Sequence, residues 1–269
     1  MYIRGLTSSP NLYEGRPYLN EYLLFHYGKP KDICPFPFAL KGALNFHRRI
    51  IQECLQPLRS PQPTRGLDAG CAVGRSTFEL AQKVDWALGI DNSKQFIHAA
   101  QRMARVKSLP VCIKTEGDLH SIGRVTLPKT LRGGRVKFMV GDAQDLSRFM
   151  DHPFHVVLAI NLIDRLPNPL KFLAQLPSLI VPCGQLILGS PYTWLNEYTP
   201  SSQWLGGRRV KSGARFTHQT LLEVLNPDFR LISRRDLPFL IREHRRKYQW
   251  VVSEILVFRR KSAKCFRSS

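Results

Sequence analysis

Several features are scarce in this 269-residue chain, and each scarcity removes a class of function. The six cysteines, Cys34, Cys54, Cys71, Cys112, Cys183 and Cys265, include no C-x-x-C pair and no metal-ligand spacing. They read as reduced thiols, not as a zinc site or a disulfide framework. The eight histidines, His152 and His155 among them, have no further His or Glu at ligand spacing, so no metal is expected. No apolar run reaches the roughly 18 residues that span a bilayer. Met1 to Pro17 lacks the apolar centre of a secretory leader, so a cytoplasmic protein without a membrane partner is expected. Acid is short too: 20 Asp and Glu stand against 40 Lys and Arg, a formal charge of +20. That excess is unusual for an enzyme acting on small molecules and ordinary for a protein that meets nucleic acid. Much of it lies in Arg102, Arg105, Lys107, Lys114, Arg124, Lys129, Arg132 and Arg135 and in the chain from Arg234 onward, where a solvated basic face is an equal reading.

What the chain does have is a glycine turn. Gly66-Leu67-Asp68 ends a short apolar run, Gly70-Cys71-Ala72-Val73-Gly74 allows a tight turn, and Ser76 to Lys83 carries Phe78, Leu80 and Ala81 at helical spacing. A second apolar run, Trp86 to Ile90, ends on Asp91, roughly twenty residues on, where a doubly wound fold places the acid that binds ribose hydroxyls; Asn92 follows it. A dinucleotide turn needs G-x-G-x-x-G to hold a pyrophosphate. Here Ala72 replaces the middle glycine and Asp68 at the mouth repels phosphate. The same carboxylate suits a ligand with a sulfonium and an α-ammonium, which is S-adenosylmethionine. A turn that only packs is the bland alternative.

The rest of the pattern alternates. Tyr18 to Tyr27 and Ala39 to Leu58 look helical, and residues 1–60 are expected to form an N-terminal helical cap. Residues 61–260 would hold the cofactor-binding domain. Ser93 caps a helix running to Val106; residues 107–135 read as a basic surface insert, an irregular loop or small excursion; and 261–269 read as a frayed tail. Val136 to Val140 is a strand leading to Asp142 and Ala143, placed to meet an adenine amino group. His155 to Ile160 is a nearly continuous apolar run, a central parallel strand ending at Asn161. Pro169 starts a helix, and Gln185 to Gly189 is a fifth strand leading into Tyr192 and Trp194. Phe229 to Leu237 and Gln249 to Arg259 alternate as an antiparallel pair. The expected architecture is α/β, a doubly wound, mostly parallel seven-stranded sheet.

These residues resemble a class I S-adenosylmethionine-dependent methyltransferase, Rossmann-like in fold, and more narrowly the 4-mercaptohistidine N1-methyltransferase family of ovothiol biosynthesis. The narrow likeness rests on Tyr22-Leu23-Leu24-Phe25-His26-Tyr27-Gly28, the turn Leu67 to Ser76 with its Ala72, Ser190 to Leu195, Trp204 to Gly207, and Pro238 to His244 with Gln249-Trp250. It implies methyl transfer to an imidazole nitrogen of a thiolated histidine, with the cofactor on Asp68, Gly70, Cys71, Ala72, Gly74, Asp91, Asn92, Asp142, Ala143 and Asn161. The chain has no His-x-x-x-His-x-Glu string of the iron-dependent sulfoxide synthase that often precedes this domain, so the substrate would come from another chain as a partner.

The chemistry needs alignment more than a catalytic group, because a neutral imidazole nitrogen already carries the attacking lone pair. Arg242 is the candidate for the substrate carboxylate, Tyr192 and Trp194 are candidate ring walls, and His244, Glu243 and Tyr192 are candidates for any catalytic role; His244 also counts as substrate-binding. Two other readings stand beside this one. A nucleic-acid methyltransferase of the same fold is favoured by the charge but lacks an Asn-Pro-Pro-Tyr type string where the chain reads Asn161-Leu162-Ile163-Asp164. A non-catalytic scaffold has no use for a complete nucleoside site. An NAD-dependent dehydrogenase is disfavoured by Asp68.

Overall fold

The apolar runs flanking the glycine turn form the middle of one sheet. The computed structural model describes residues 16–58, 60–149, 151–211 and 213–262, with the side chains of Arg16 and Pro17 excepted. The first fifteen residues of the expected cap, and all but the first two of the expected tail, lie outside the described residues.

In chain order the strands of the main sheet are β1 (Arg65–Ala69), β2 (Trp86–Asp91), β5 (Val136–Val140), β6 (Phe154–Ile160), β7 (Ile180–Ser190), β10 (Phe229–His244) and β11 (Lys247–Arg260). Their spatial order is β10-β11-β7-β6-β1-β2-β5. The five strands from β5 to β7 run parallel, with Leu67 opposite both Leu88 and Val157; β11 joins β7 antiparallel, Leu256 opposite Leu188. Helices lie against the sheet, and Leu67, Leu88, Val157, Leu186 and Leu188 are all but inaccessible. This is why β6 reads as an unbroken apolar run: a parallel strand covered on two faces has no polar side.

Helix α5 (Lys94–Val106) follows its signals closely. Ser93 Oγ accepts from the Phe96 N–H at 3.2 Å, and Phe96, Ile97, Ala100 and Met103 bury one face. In α6 (Pro169–Leu179), Asn168 caps the Lys171 N–H at 3.0 Å with proline at the first turn. A further helix, α7 (Thr217–Leu225), precedes β10.

One expectation changes and another sharpens. The helix anticipated over Ala39 to Leu58 is a single turn, Lys41–Ala43, then α3 (Phe46–Cys54), because Asn45 takes a left-handed conformation at φ 57° and redirects the chain. The segment 107–135, read as a loop or a small excursion, holds an antiparallel hairpin, β3 (Ser108–Glu116) and β4 (Leu119–Thr126). Its inner residues Leu109, Val111 and Val125 are buried against α1 (Arg16–Tyr27) and α5, while its basic side chains face out. Weak periodicity concealed the strand pair, because its outward face mixes basic residues with exposed Leu119 and Ile122 and so blurs the alternation. Two short strands, β8 (Arg208–Val210) and β9 (Gly213–Arg215), form a separate ribbon.

One length mismatch positions everything that follows. β11 pairs with β7 only over Glu254–Arg259, so the far ends of β10 and β11 rise past the carboxyl edge of the parallel strands. Against that overhang lean α1, α3 and the β3–β4 hairpin, tied by Cys112 N to Asn20 Oδ1 (2.8 Å) and Arg245 N to Thr115 O (3.3 Å). Among the described residues no helix is long and apolar enough to cross a membrane. Cys34, Cys54, Cys71 and Cys112 are free thiols as expected; Cys183 is disulfide-bonded, against the expectation.

Candidate active site

A cleft of about 500 Å³ opens at the carboxyl ends of β1, β2, β5 and β6, where an open α/β sheet binds ligands. Its floor is the glycine turn. Gly70 sits at φ +74°, and a Cβ there would stand 2.8 Å from Leu162 Cδ1. Ala72 holds φ +46°, a left-handed conformation that costs an L-residue about 1–2 kcal/mol. It is held there by Asp91, whose Oδ2 accepts the Ala72 N–H at 2.9 Å while Oδ1 accepts the Ser93 N–H at 2.9 Å. Both carboxylate oxygens thus accept backbone N–H groups that orient the side chain at the cleft.

Asp68 is buried in β1 (1% exposed) and accepts the Thr77 hydroxyl at 2.7 Å. Burial, with Asp91 nearby, pushes its carboxyl up to about 7. Asp142, past the end of β5, accepts the Gln144 N–H at 2.8 Å. Asn161, at φ +53°, accepts the Ser253 hydroxyl at 2.6 Å. Three carboxylates around one half of the cleft reject a polyphosphate and suit a cationic nucleoside. Asp68, Gly70, Cys71, Ala72, Asp91, Asn92, Asp142, Ala143 and Asn161 all line it, as the turn and strand ends imply. Gly74 does not. At φ +90° it lets the chain enter α4 (Arg75–Leu80), and a Cβ would lie 2.6 Å from Phe138 Cε1, so its role is close packing.

The other half is built from elements distant in sequence. Tyr22, Phe25 and His26 from α1, Phe46 and His47 from α3, and Phe239, Ile241, Gln249 and Val251 from the overhanging strands wall it. Phe25 lies 5.5 Å from Phe239 and Phe46 lies 4.8 Å from Phe239, centroid to centroid. His26 and His47 lie with ring centroids 3.8 Å apart, the planes tilted by 39°, and are 6% and 7% exposed. Burial and the Arg75 guanidinium hold both well below the usual histidine range, and the neighbouring His47 lowers His26 further, so both are neutral at pH 7. His26 Nδ1 accepts the Arg75 N–H at 3.3 Å, which puts the ring proton on Nε2. Arg165 and Tyr198 close the rim, the guanidinium 4.7 Å above the ring.

The substrate residues expected from the sequence lie elsewhere. Arg242 donates to the carbonyls of Asp32 (2.6 Å) and Lys114 (3.3 Å), bracing the short helix α2 (Pro30–Ile33), the β3–β4 hairpin and β10. Glu243 pairs with Lys247 at 2.7 Å, and His244 Nδ1 accepts the Arg246 N–H in the exposed turn. The Tyr192 hydroxyl donates to Glu254, and Trp194 is buried, its Nε1 donating to Thr217 at 2.9 Å and its ring stacked on Trp204. None of these five lines the cleft; their neighbours Pro191, Thr193, Ile241 and Gln249 do. The residues missed, Tyr22, Phe25, His26 and His47, carried one usable signal. Tyr22, Phe25 and His26 have the i, i+3, i+4 spacing of a single helix face.

Fold and cleft together define an α/β domain that binds a nucleoside without phosphate at its strand ends. Residues 67–188 match the methyltransferase domain family, and that segment is a class I methyltransferase domain, whose cofactor is S-adenosylmethionine. Among solved structures, a S-adenosylmethionine-dependent methyltransferase from Methanosarcina mazei aligns at 21% identity over 79% of this chain and 97% of its own, TM-score 0.51. The magnesium protoporphyrin IX methyltransferase of Synechocystis PCC 6803, with S-adenosylhomocysteine bound, aligns at 16% over 93% and 96%, TM-score 0.52. The [4+2]-cyclase SpnF aligns at 16% over 80% and 81%, TM-score 0.51. At these identities the likeness establishes the fold, and the cyclase among them illustrates that the fold alone does not fix the reaction.

Proposed function

We propose that this protein transfers a methyl group from S-adenosylmethionine to an imidazole nitrogen of a thiolated histidine, in the manner of ovothiol biosynthesis. The carrying observation is the acceptor half of the cleft: aromatic rings from Tyr22, Phe25, Phe46 and Phe239 around two neutral imidazoles, a setting for a small planar heterocycle. Asp91 would hold the ribose hydroxyls, Asp68 the α-ammonium, and Asp142 the adenine edge. When bound, the cofactor supplies an electrophilic methyl on a positively charged sulfur. The chain's part is to align the acceptor and exclude water. Burial and the Asp68 carboxylate push the Cys71 thiol well up, so this cysteine of the cleft lining stays protonated and unreactive. His26, as an Nε2–H donor, would meet a polar edge of the acceptor. The sulfur-bearing substrate would be made by an oxidative enzyme.

The test is incubation with S-adenosylmethionine and 5-thiohistidine, with RNA in a parallel reaction and mass spectrometry of both. Methylation of RNA and not of thiohistidine would sink the proposal. That competing reading has one observation in its favour: Arg102, Arg105, Arg124, Lys129, Arg132 and Arg135 are exposed on α5, the β3–β4 hairpin and the chain after it. It predicts binding to RNA that weakens steeply with salt.

A further inference from the structure

Four acidic side chains line the cleft, and three have hydrogen-bond donors within the chain. Asp68 accepts from Thr77, Asp91 from Ala72 and Ser93, and Asp142 from Gln144. Glu21 has neither a hydrogen bond nor an ion pair with any described residue. It sits half-buried in the middle of α1, on the wall shared by the cleft and a second cavity of about 340 Å³. Lys114, Arg242 and Glu243 also line that cavity. Tyr18, Tyr22 and Phe25, within one turn of Glu21 on α1, line the same cleft.

A carboxylate taken partly out of water without a donor is costly unless a ligand supplies one. Burial and the nearby Glu243 push Glu21 up to about 7, and Lys114 and Lys247 offset this only in part. An ammonium at this point meets a carboxylate in a cleft that Tyr18 and Tyr22 also line, a setting suited to an organic cation. A phosphodiester at the same point meets repulsion.

We infer that Glu21 binds the α-ammonium of the acceptor and so selects an amino acid over an uncharged heterocycle. This rests on the acceptor proposed above, and the experiment separates the two. Steady-state methylation is measured for wild type, Glu21→Gln and Glu21→Asp with 5-thiohistidine and with its des-amino analogue, alongside S-adenosylhomocysteine affinity as a check of the fold. Glu21→Gln is expected to raise KM for thiohistidine roughly 10- to 100-fold. It should leave KM for the des-amino analogue and the S-adenosylhomocysteine Kd unchanged, and Glu21→Asp should recover part of the loss. A KM unchanged for thiohistidine, or raised equally for both acceptors, overturns the role of Glu21. No methylation of thiohistidine by the wild type overturns the acceptor reading and this one with it.

Discussion

Replacing Asp68 by Asn should make the protein more stable and the cofactor site worse. Asp68 is 1% exposed, and burial with Asp91 nearby raises its carboxyl from 3.8 to about 7. The sign follows from proton counting. Between those two values the folded protein binds more protons than the unfolded chain, so stability falls as pH rises through the window and levels off above 7. The difference of about three pH units corresponds to a penalty of at most about 4 kcal/mol at pH 8 and about 2 kcal/mol at pH 5.5. Asparagine carries no such penalty, and its carbonyl oxygen can still accept the Thr77 hydroxyl bond that Asp68 makes at 2.7 Å. Asp68→Asn should therefore raise Tm by several degrees at pH 8, at roughly 2–4 °C per kcal/mol for a chain of this size. The gain should shrink by about half at pH 5.5. Calorimetry should show the opposite for ligand: S-adenosylhomocysteine binds about tenfold more weakly, because a charge-assisted bond to its ammonium is lost. Wild-type affinity should improve from pH 6 to 7.5 as Asp68 ionises, and the variant's should not. A variant that melts at or below wild type at pH 8 would refute the argument that Asp68 is a charge held against its burial.

Two further outcomes follow from the cleft and its frame. His26 and His47 are buried and neutral, with proton affinities held below those of the unfolded chain, so stability should fall as pH drops below about 6.5, where the unfolded state gains protons. His47→Phe should reduce that acid slope by up to about 1.4 kcal/mol per pH unit, read from urea melts at pH 5 and 7; an unchanged slope would show that His47 is not the group responsible. Arg242→Ala removes two bonds to the carbonyls of Asp32 and Lys114 and should cost about 1–3 kcal/mol of stability while changing S-adenosylhomocysteine affinity less than twofold. Cofactor affinity falling in step with stability would contradict its assignment as a brace.

The cofactor half of the site was legible in the sequence because its parts are local. The turn from Asp68 to Gly74, the acid at Asp91 and the acid at Asp142 each end a strand, and strands that follow one another through right-handed crossovers deliver their carboxyl ends to one edge. Alternating strand and helix signals therefore placed nine of the ten residues in the cleft, while Gly74 packs against Phe138 and is not part of its lining.

The acceptor half was not legible. A strand shows its side chains to opposite faces in turn, so in Pro238 to His244 the sequence cannot say which parity meets the cleft. Packing against α1 and α3 turned Phe239 and Ile241 inward and left Arg242 to tie the hairpin and cap together. Glu243 and His244 fall beyond the cleft because β10 and β11 outrun β7, a length that pairing alone reveals. His26 and His47 meet only because two separate helices pack side by side. By itself the sequence determined the sheet, the turn and the carboxylates that suit a cationic nucleoside, since those depend on neighbours in the chain. The tertiary structure alone decided what faces the methyl acceptor, since that wall is assembled from four elements brought together by burial.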